Sequence, residues 1–452
     1  MNQAVTNRRS FLTSAAAVAG GLGFTRLSAA EAPARPDGPP LAGGNKTGKI
    51  TRIEAVLFDC GDPLAGVHSR WTEMMTRNGA WLGGVPPRTQ IALRIATNAG
   101  AEGCFVGHPF KLTAADFENA LRPVLLGENP WDRERLWLRM YRAKTPRIAL
   151  SAADIALWDL AGKVTGLPCW KLAGGCRDRA KVYISTHFDM GSPDDYAAYA
   201  AAIKKRGYPG FKIHGNICFD PIRREHIPFR SRAFPEHEIE ICHAVRAAVG
   251  NEMALIHDPG GVFNFEQAVW VGRELQKLSY EWLEDPMPEG KEDSIESYAR
   301  LCRTVEIPIC APEFEEDYHF VRGRYLLKGA CTINRIDHYY GGLTACLKTA
   351  AMCQACGMRL EIHSTASVQY NLQVLGATSE DLCMWLEDYD LEPESGAKCV
   401  SANAQIPAAG GRRAPYLKGL LPKVDQHGYA HIPHAPGMGM DVDWQYVDTH
   451  RV

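Results

Sequence analysis

The segment "MALIHD", residues 253–258, is a short apolar run that ends in an acidic residue. It is followed by "FNFEQAVWVGREL", residues 263–275, which has the spacing of an amphipathic helix. Strands that are covered by helices on both faces are buried and form nearly continuous apolar runs. The two segments together predict one strand and helix of a parallel α/β sheet.

The same unit recurs through the second half of the chain. Apolar runs that end in polar residues follow one another at intervals of roughly 25 to 40 residues, as in a barrel of strand–helix units. The eight runs are "VYIST" (182–186), "GFKIH" (210–214), "MALIHD" (253–258), "YEWLED" (280–285), "PICAPE" (308–313), "TINRID" (332–337), "MRLEIHS" (358–364) and "LCMWLE" (382–387). Eight such units predict an α/β protein with a (β/α)₈ barrel.

The carboxyl ends of the strands hold the active site in this architecture. The candidates lie among the charged or titratable residues within the last three positions of the runs, and they are Lys212, His214, Asp258, Glu284, Glu313, Asp337, His363 and Glu387. Three acids from consecutive strands would repel one another at one mouth unless a cation lay between them. The ring of strand ends is therefore the predicted functional site.

The members of the ring indicate a type of chemistry. Asp258, Glu284 and Glu313 offer only oxygen ligands, which suit Mg²⁺ or Mn²⁺. His363 and Asp337 end neighbouring runs, and a carboxylate beside an imidazole fixes its tautomer and raises its basicity. Acid–base groups on opposite faces of a metal-bound substrate suit removal of a proton next to a carboxylate.

The amino-acid composition and net charge indicate which class of partner the protein binds. The 452 residues are 46% hydrophobic and 23% charged, with a net charge of -2. The chain has no long basic or acidic run for nucleic acid or a membrane surface, so we expect a small-molecule partner. Most of the 14 cysteines lie in apolar runs, where a thiol behaves as a small hydrophobic group.

The first residues differ in kind from the rest. "NRRSFL" (7–12) precedes a short, weakly apolar segment and then "LSAAEA" (27–32). This is the layout of a twin-arginine export signal, here over residues 1–34, and a disordered basic tail is the alternative. The Pro/Gly-rich residues 35–48 predict a linker. We expect a bacterial protein that is periplasmic or otherwise exported, without membrane insertion of the mature chain.

Between the linker and the barrel, strand and helix patterns are mixed. "ITRIEAVLFD" (50–59) and "TQIALRIATNAG" (89–100) have the composition of strands, while "TAADFENALRPVLLG" (113–127) and "WDRERLWLRMYRAK" (131–144) have helical periodicity. These segments therefore predict an α+β fold before the barrel.

From residue 49 to its end, the chain resembles the enolase superfamily, and within it the mandelate racemase-like group of acid sugar dehydratases. The most specific stretch is "SAADIALWDLAGKVTGLPCWKLAGG" (151–175), which is similar to the family's junction between capping domain and barrel. "WLEDP" (282–286), "GGLTACLKTA" (341–350) and "PGMGMDVD" (436–443) also match. The resemblance implies a modified, enolase-like barrel.

The resemblance also implies a domain organisation. Residues 49–176 would form the capping domain and residues 177–395 the catalytic barrel. Residues 396–452 would return to the capping domain. A segment of the capping domain, 66–84, would be a lid over the mouth, and family members commonly form homo-oligomers.

Residue by residue, the resemblance implies that Asp258, Glu284 and Glu313 are Mg²⁺ ligands. It makes His363 and Asp337 the base dyad, although Asp337 stands one residue closer to the following glycine pair than the family pattern leads us to expect.

The resemblance also bears on the three remaining residues of the ring. Lys212 matches a lysine that touches the substrate carboxylate, and Glu387 matches an acid that helps to hold the developing enediolate. His214 departs from the pattern, because many members carry a second lysine there. It could be a base for one epimer, an acid for a departing hydroxyl or a residue that sets specificity.

Three functions remain open at this point. The first is a Mg²⁺-dependent dehydratase that converts an aldonic or aldaric acid to a 2-keto-3-deoxy acid through an enediolate. The alternative is a racemase or epimerase of a 2-hydroxy acid or related carboxylate, in which His214 or Lys212 returns the proton on the opposite face. The third is an exported binding protein that keeps the fold without the chemistry.

Overall fold

A computed structural model describes residues 48–61, 89–186, 192–214, 219–220, 225–226, 235–363, 368–389, 415–419 and 424–452. The predicted export signal, nearly all of the predicted linker and the predicted lid lie outside the described residues. Most of residues 215–234, which follow the second predicted barrel strand, and much of the segment 396–452 lie outside them as well.

The residues before the barrel form an antiparallel sheet of three strands in chain order. The strands are β1 (Ile50–Asp59), β2 (Thr89–Thr97) and β3 (Glu102–Gly107). Helices α1 (Ala114–Leu125) and α2 (Arg133–Arg142) follow, and α1 begins at a capping box between Thr113 and Asp116. The predicted strands and helices of this region are confirmed, and β3 is an additional element.

Strand β3 lies against the long helix α3 (Arg147–Thr165). A Cβ atom added to Gly103 would stand 2.0 Å from the Ala156 carbonyl oxygen, so the close approach of strand and helix requires glycine. Every residue of α3 from Ile148 to Gly162 is buried. A helix without a solvated face packs on all sides, and α3 packs between the capping sheet and the barrel helices.

Eight parallel strands form the barrel. They are β4 (Arg179–Ser185), β5 (Gly210–His214), β8 (Ala254–Asp258), β9 (Trp282–Glu284), β10 (Ile309–Cys310), β11 (Ile333–Ile336), β12 (Arg359–Ile362) and β13 (Trp385–Tyr389). Each strand pairs with the next in chain order, and β13 pairs with β4, which closes the sheet. Each of the eight predicted runs overlaps a barrel strand, so the predicted (β/α)₈ barrel with an α+β cap is confirmed.

The remaining elements connect and cover these strands. The helices are α4 (Cys169–Leu172), α5 (Pro193–Lys205), α6 (Glu236–Val249), α7 (Phe265–Lys277), α8 (Ser294–Thr304), α9 (Tyr318–Lys328), α10 (Gly342–Ala355), α11 (Val368–Ala377) and α12 (Trp444–Thr449). The short strands β6 (Phe219–Asp220) and β7 (Glu225–His226) pair with each other, and β14 (Tyr429–His431) pairs with β4. Among the described residues, no helix combines the length and apolar character that a membrane span needs.

Candidate active site

Three carboxylates converge at the carboxyl ends of consecutive barrel strands. Asp258, Glu284 and Glu313 each offer an oxygen atom, and these atoms all lie within 4.8 Å of one another. All three residues are buried. The structure therefore brings together the three acids that the sequence singles out.

Neighbouring groups hold these carboxylates in place. The indole Nε1 of Trp282 donates to Glu284 Oε2 at 2.8 Å, and the backbone nitrogen of Gly260 donates to Asp258 Oδ1 at 2.8 Å. Trp282 precedes Glu284 by two residues on β9, so both side chains face the barrel interior.

Lys212 and His214 approach the acids from β5. Lys212 Nζ lies 2.5 Å from Glu284 Oε1, 2.6 Å from Glu387 Oε1 and 3.4 Å from Asp258 Oδ2. The charges of Glu284 and Glu387 outweigh burial and raise the pKa of Lys212 above its ordinary value. The Lys212 side chain is therefore a protonated ammonium group in the ring.

The second member of the pair, His214, stands beside Asp258 because the two residues are partners in the parallel register of β5 and β8. Its Nε2 lies 2.9 Å from Asp258 Oδ2, and its Nδ1 lies 2.8 Å from the Thr186 carbonyl oxygen. Both ring nitrogens face acceptor oxygens, an arrangement that suits a group with a proton to donate.

His363 and Asp337 form a second acid–base pair. His363 Nδ1 lies 2.9 Å from Asp337 Oδ2, and His363 Nε2 lies 3.3 Å from Glu313 Oε1. Burial opposes charge on both groups, but the hydrogen bond and charge of His363 lower the pKa of Asp337 to about 2. Glu313 and Asp337 raise the pKa of His363 above its ordinary value in spite of burial. The imidazole of His363 thus lies between the Asp337 carboxylate and the three-acid cluster.

The loop after Asp337 is anchored to α3. Ser151 Oγ donates to the Tyr339 carbonyl oxygen at 2.9 Å and accepts from the Gly341 backbone nitrogen at 2.8 Å. Asp337 itself accepts from the Tyr339 backbone nitrogen at 2.6 Å. Helix α3, which carries residues 151–165 of the family-like stretch, therefore fixes the position of the dyad carboxylate.

The other side of the dyad is held by α11. Asn371 Nδ2 donates to the His363 carbonyl oxygen at 2.7 Å, and Asn371 Oδ1 lies 3.2 Å from Nδ1 of His338. Because the amide nitrogen is used for His363, the amide oxygen accepts from His338. The strand end that carries the imidazole is thereby tied to a helix.

Arg335 is a site residue that the sequence analysis missed. It is fully buried on β11, two residues before Asp337, and its guanidinium contacts Glu284, Glu313, Glu361 and Glu387. The available signal was the two-residue period of a strand, which places Arg335 on the inward face with Asp337. Glu361, which is buried on β12, forms an ion pair with this guanidinium.

Glu387 ends the ring on β13. It lies between Lys212 and Arg335, with Oε2 at 3.1 Å from an Arg335 nitrogen. Burial would raise the pKa of Glu387, but the charges of Lys212 and Arg335 lower it well below its ordinary value. Glu387 is therefore ionised in the ring.

The chemistry of the donor set fits a hard divalent cation. Asp258, Glu284 and Glu313 supply only oxygen atoms, and Mg²⁺ prefers carboxylate oxygen. Burial raises the pKa of Glu284 well above its ordinary value, and the charge of Asp258 adds to the effect, whereas Arg335 and Lys212 oppose it. Additional positive charge between the three carboxylates would stabilise their ionised forms, so these residues fit Mg²⁺.

Fold and site together define a class: a (β/α)₈-barrel enzyme with an α+β cap, a buried three-carboxylate cluster and a histidine–aspartate pair at the barrel mouth. Residues 195–446 match the model of the enolase C-terminal domain-like family, and residues 81–174 match that of the mandelate racemase/muconate lactonizing enzyme N-terminal domain.

Individual relatives agree with this class. The chain is 27% identical to the arabinonate dehydratase of Saccharolobus solfataricus, over 79% of this chain and 89% of that one. It is 28% identical to the D-galactonate dehydratase of Ralstonia pickettii, over 79% and 90% of the two chains. A solved structure of D-glucarate dehydratase from Agrobacterium tumefaciens, complexed with magnesium, has 30% identity and a TM-score of 0.71, and it covers 90% of this chain and all of that one.

The chain belongs to the enolase superfamily, in the mandelate racemase and muconate lactonizing enzyme group of acid sugar dehydratase type. It is an enzyme of the lyase class.

Proposed function

We propose that this enzyme removes the proton α to the carboxylate of an aldonic or aldaric acid and expels the β-hydroxyl group, with Mg²⁺ as its metal. The observation that carries the proposal is the contact between the two halves of the site. His363 Nε2 faces the three-acid cluster at Glu313, while its Nδ1 is held by Asp337. Relatives named as dehydratases of arabinonate, D-galactonate and D-xylonate support the choice of substrate class.

In this proposal His363 is the base. The Asp337 carboxylate only accepts hydrogen bonds when ionised, so His363 Nδ1 donates to it, and in the neutral imidazole Nε2 keeps a lone pair. That lone pair is directed towards the carboxylate cluster, where it can accept the α proton. Bound Mg²⁺ would supply positive charge to the enediolate that forms.

Groups on β5 serve the other face of the substrate. His214 and His363 stand on strands that are separated by β4 and β13 in one direction and by four strands in the other. His214 can therefore deliver a proton to the departing hydroxyl group while His363 holds the proton taken from the α carbon. Lys212, as an ammonium group, can bind a substrate carboxylate.

A screen of sugar acids tests the proposed dehydration. The protein, supplied with Mg²⁺, is incubated with aldonic and aldaric acids that vary in configuration at the second and third carbons, and 2-keto products are trapped with semicarbazide. We expect a keto acid from one member or a small stereochemically related group. A preparation that binds Mg²⁺ but yields no keto acid from any member would count against dehydration.

The placement of His214 and His363 on separate strands of the barrel also favours a second candidate, racemisation or epimerisation at the α carbon. In that reaction His214 or Lys212 would return the proton to the opposite face. Mass spectrometry of substrate recovered from D₂O separates the two functions. Deuterium in recovered substrate, with no water lost, would replace the dehydratase proposal by this one.

We also propose that the protein is exported by the twin-arginine route. The support is the sequence "NRRSFL" with the small-residue segment after it, both outside the described residues. Replacing Arg8 and Arg9 together by lysine is expected to retain the protein in the cytoplasm, as measured by cell fractionation. Equal periplasmic amounts of the variant and the wild type would contradict this route.

A further inference from the structure

We propose that Arg335 is a positioning residue for the metal, because its planar guanidinium holds Glu284 and Glu313 in the geometry in which they bind the ion. The inference rests on the proposed metal-dependent function and adds to it a residue outside the predicted ligand and base sets.

The first observation is the contact with two of the three carboxylates of the cluster. Arg335 NH2 lies 2.9 Å from Glu284 Oε1, and Arg335 Nε lies 3.0 Å from Glu313 Oε2. Glu284 and Glu313 come from neighbouring strands. One rigid group therefore sets the separation of two carboxylates that lie on different elements of the chain.

The second observation is that the same guanidinium is held on its other side. Arg335 NH1 contacts Glu361, and NH2 lies 3.1 Å from Glu387 Oε2. Glu361 is fixed in turn by the hydroxyl group of Tyr183, which donates to Oε1 at 2.6 Å. Carboxylates from four regions of the barrel thus surround one plane of donors, and a lysine ammonium cannot reproduce this fork geometry.

The third observation concerns the backbone. Arg322, which is fully buried on α9, donates through Nε to the Arg335 carbonyl oxygen at 3.1 Å and through NH2 to the Glu313 carbonyl oxygen at 2.9 Å. The main chains of the positioning arginine and of one predicted ligand are therefore fixed to each other. Neither residue can shift without breaking a buried hydrogen bond.

The charge of Arg335 and the geometry of its guanidinium predict opposite effects on Mg²⁺ affinity when the residue is replaced. Loss of a cation next to the cluster would by itself strengthen the attraction for Mg²⁺. Loss of the fork would release Glu284 and Glu313 and weaken binding, as loss of outer-shell partners does in other metal sites, by about 10- to 100-fold. A substitution that keeps the charge and removes the fork isolates the second effect.

The experiment is a calorimetric titration of the metal-free protein with Mg²⁺. For Arg335→Lys we expect a Kd at least about tenfold higher than that of the wild type, since the charge remains and the planar donors are lost. Arg359→Lys is the matched control, because Arg359 lies on β12 and pairs with Glu281 at 2.6 Å, away from the cluster. Its Mg²⁺ affinity is expected to equal that of the wild type.

A wild-type Kd for folded Arg335→Lys would overturn the proposal, because charge alone would then be sufficient. If circular dichroism shows that Arg335→Lys is unfolded, the double variant Arg335→Gln, Glu361→Gln decides, since it removes one charge of each sign. Weakened binding in the double variant supports positioning, and wild-type binding refutes it. The titration needs no turnover, so a protein that binds Mg²⁺ without dehydrating any acid would contradict the proposed function and leave this inference intact.

Discussion

Replacing His363 by asparagine is expected to lower kcat by roughly 10²- to 10⁴-fold, the range attributed to a positioned general base. The Mg²⁺ Kd should change by less than about threefold, since Glu313 keeps its contact with Arg335 at 3.0 Å. Asparagine retains a group that can hydrogen-bond Asp337 but has no lone pair of suitable basicity to accept the α proton. Turnover is measured with the acid identified in the keto-acid screen, and metal affinity by calorimetry.

The control for this variant is His427→Asn, which changes an exposed histidine in the C-terminal segment. It is expected to leave both kcat and Mg²⁺ affinity at wild-type values. Undiminished turnover by the His363 variant would show that the base lies elsewhere. A parallel loss of metal affinity would show that His363 supports the cluster rather than the proton transfer.

Replacing Glu313 by glutamine is expected to weaken Mg²⁺ binding by roughly 100-fold, because affinity for hard cations depends steeply on the number of charged ligands. The amide fits the site without new unpaired groups. Its oxygen can accept from Arg335 Nε, and its nitrogen can donate to the lone pair on His363 Nε2, which lies 3.3 Å from Glu313 Oε1. Activity should fall with metal affinity, since the amide also occupies the base.

Calorimetry with Mg²⁺ checks this second prediction, and Glu316→Gln is the matched control because Glu316 is exposed in the same loop. The melting temperature in the absence of metal tests the fit of the amide, and we expect it to stay close to that of the wild type. Wild-type affinity in the Glu313 variant would remove Glu313 from the metal site.

Much of the barrel could be predicted because buried parallel strands are encoded by nearly continuous apolar runs in the sequence. The run "MALIHD" contains β8 and ends at the same residue, Asp258. Its polar end lies at the barrel mouth, while the residues Met253 to Ile256 are apolar, as expected for a strand that is covered by helices. The order of the strands also followed from chain order, because each barrel unit lies beside the next.

The inner layer of the site could not be identified in the same way. Arg335 and Trp282 each lie two residues before a predicted site residue, on the same face of a strand. Taken alone, an arginine or a tryptophan within an apolar run does not show which side it faces. Only the convergence of carboxylates from other strands explains why a fully buried arginine is stable at this position.

The register between neighbouring strands also could not be predicted from the sequence. The spacing "KIH" places Lys212 and His214 on one face, but the pairing of β5 with β8 places His214 directly beside Asp258. As a result His214 contacts a predicted metal ligand rather than the His363–Asp337 pair. The role of His214 therefore depends on a contact between strands that no local pattern encodes.

The most direct test of α-proton removal is proton NMR of the reaction in D₂O, with Mg²⁺ and the acid that the screen identifies. If a base removes the α proton, the signal of the proton on the second carbon disappears as the product forms, and the third carbon of the 2-keto-3-deoxy product carries one deuterium from the solvent. A product without deuterium, in which the original hydrogen has moved from the second to the third carbon, would contradict removal of the α proton by a base.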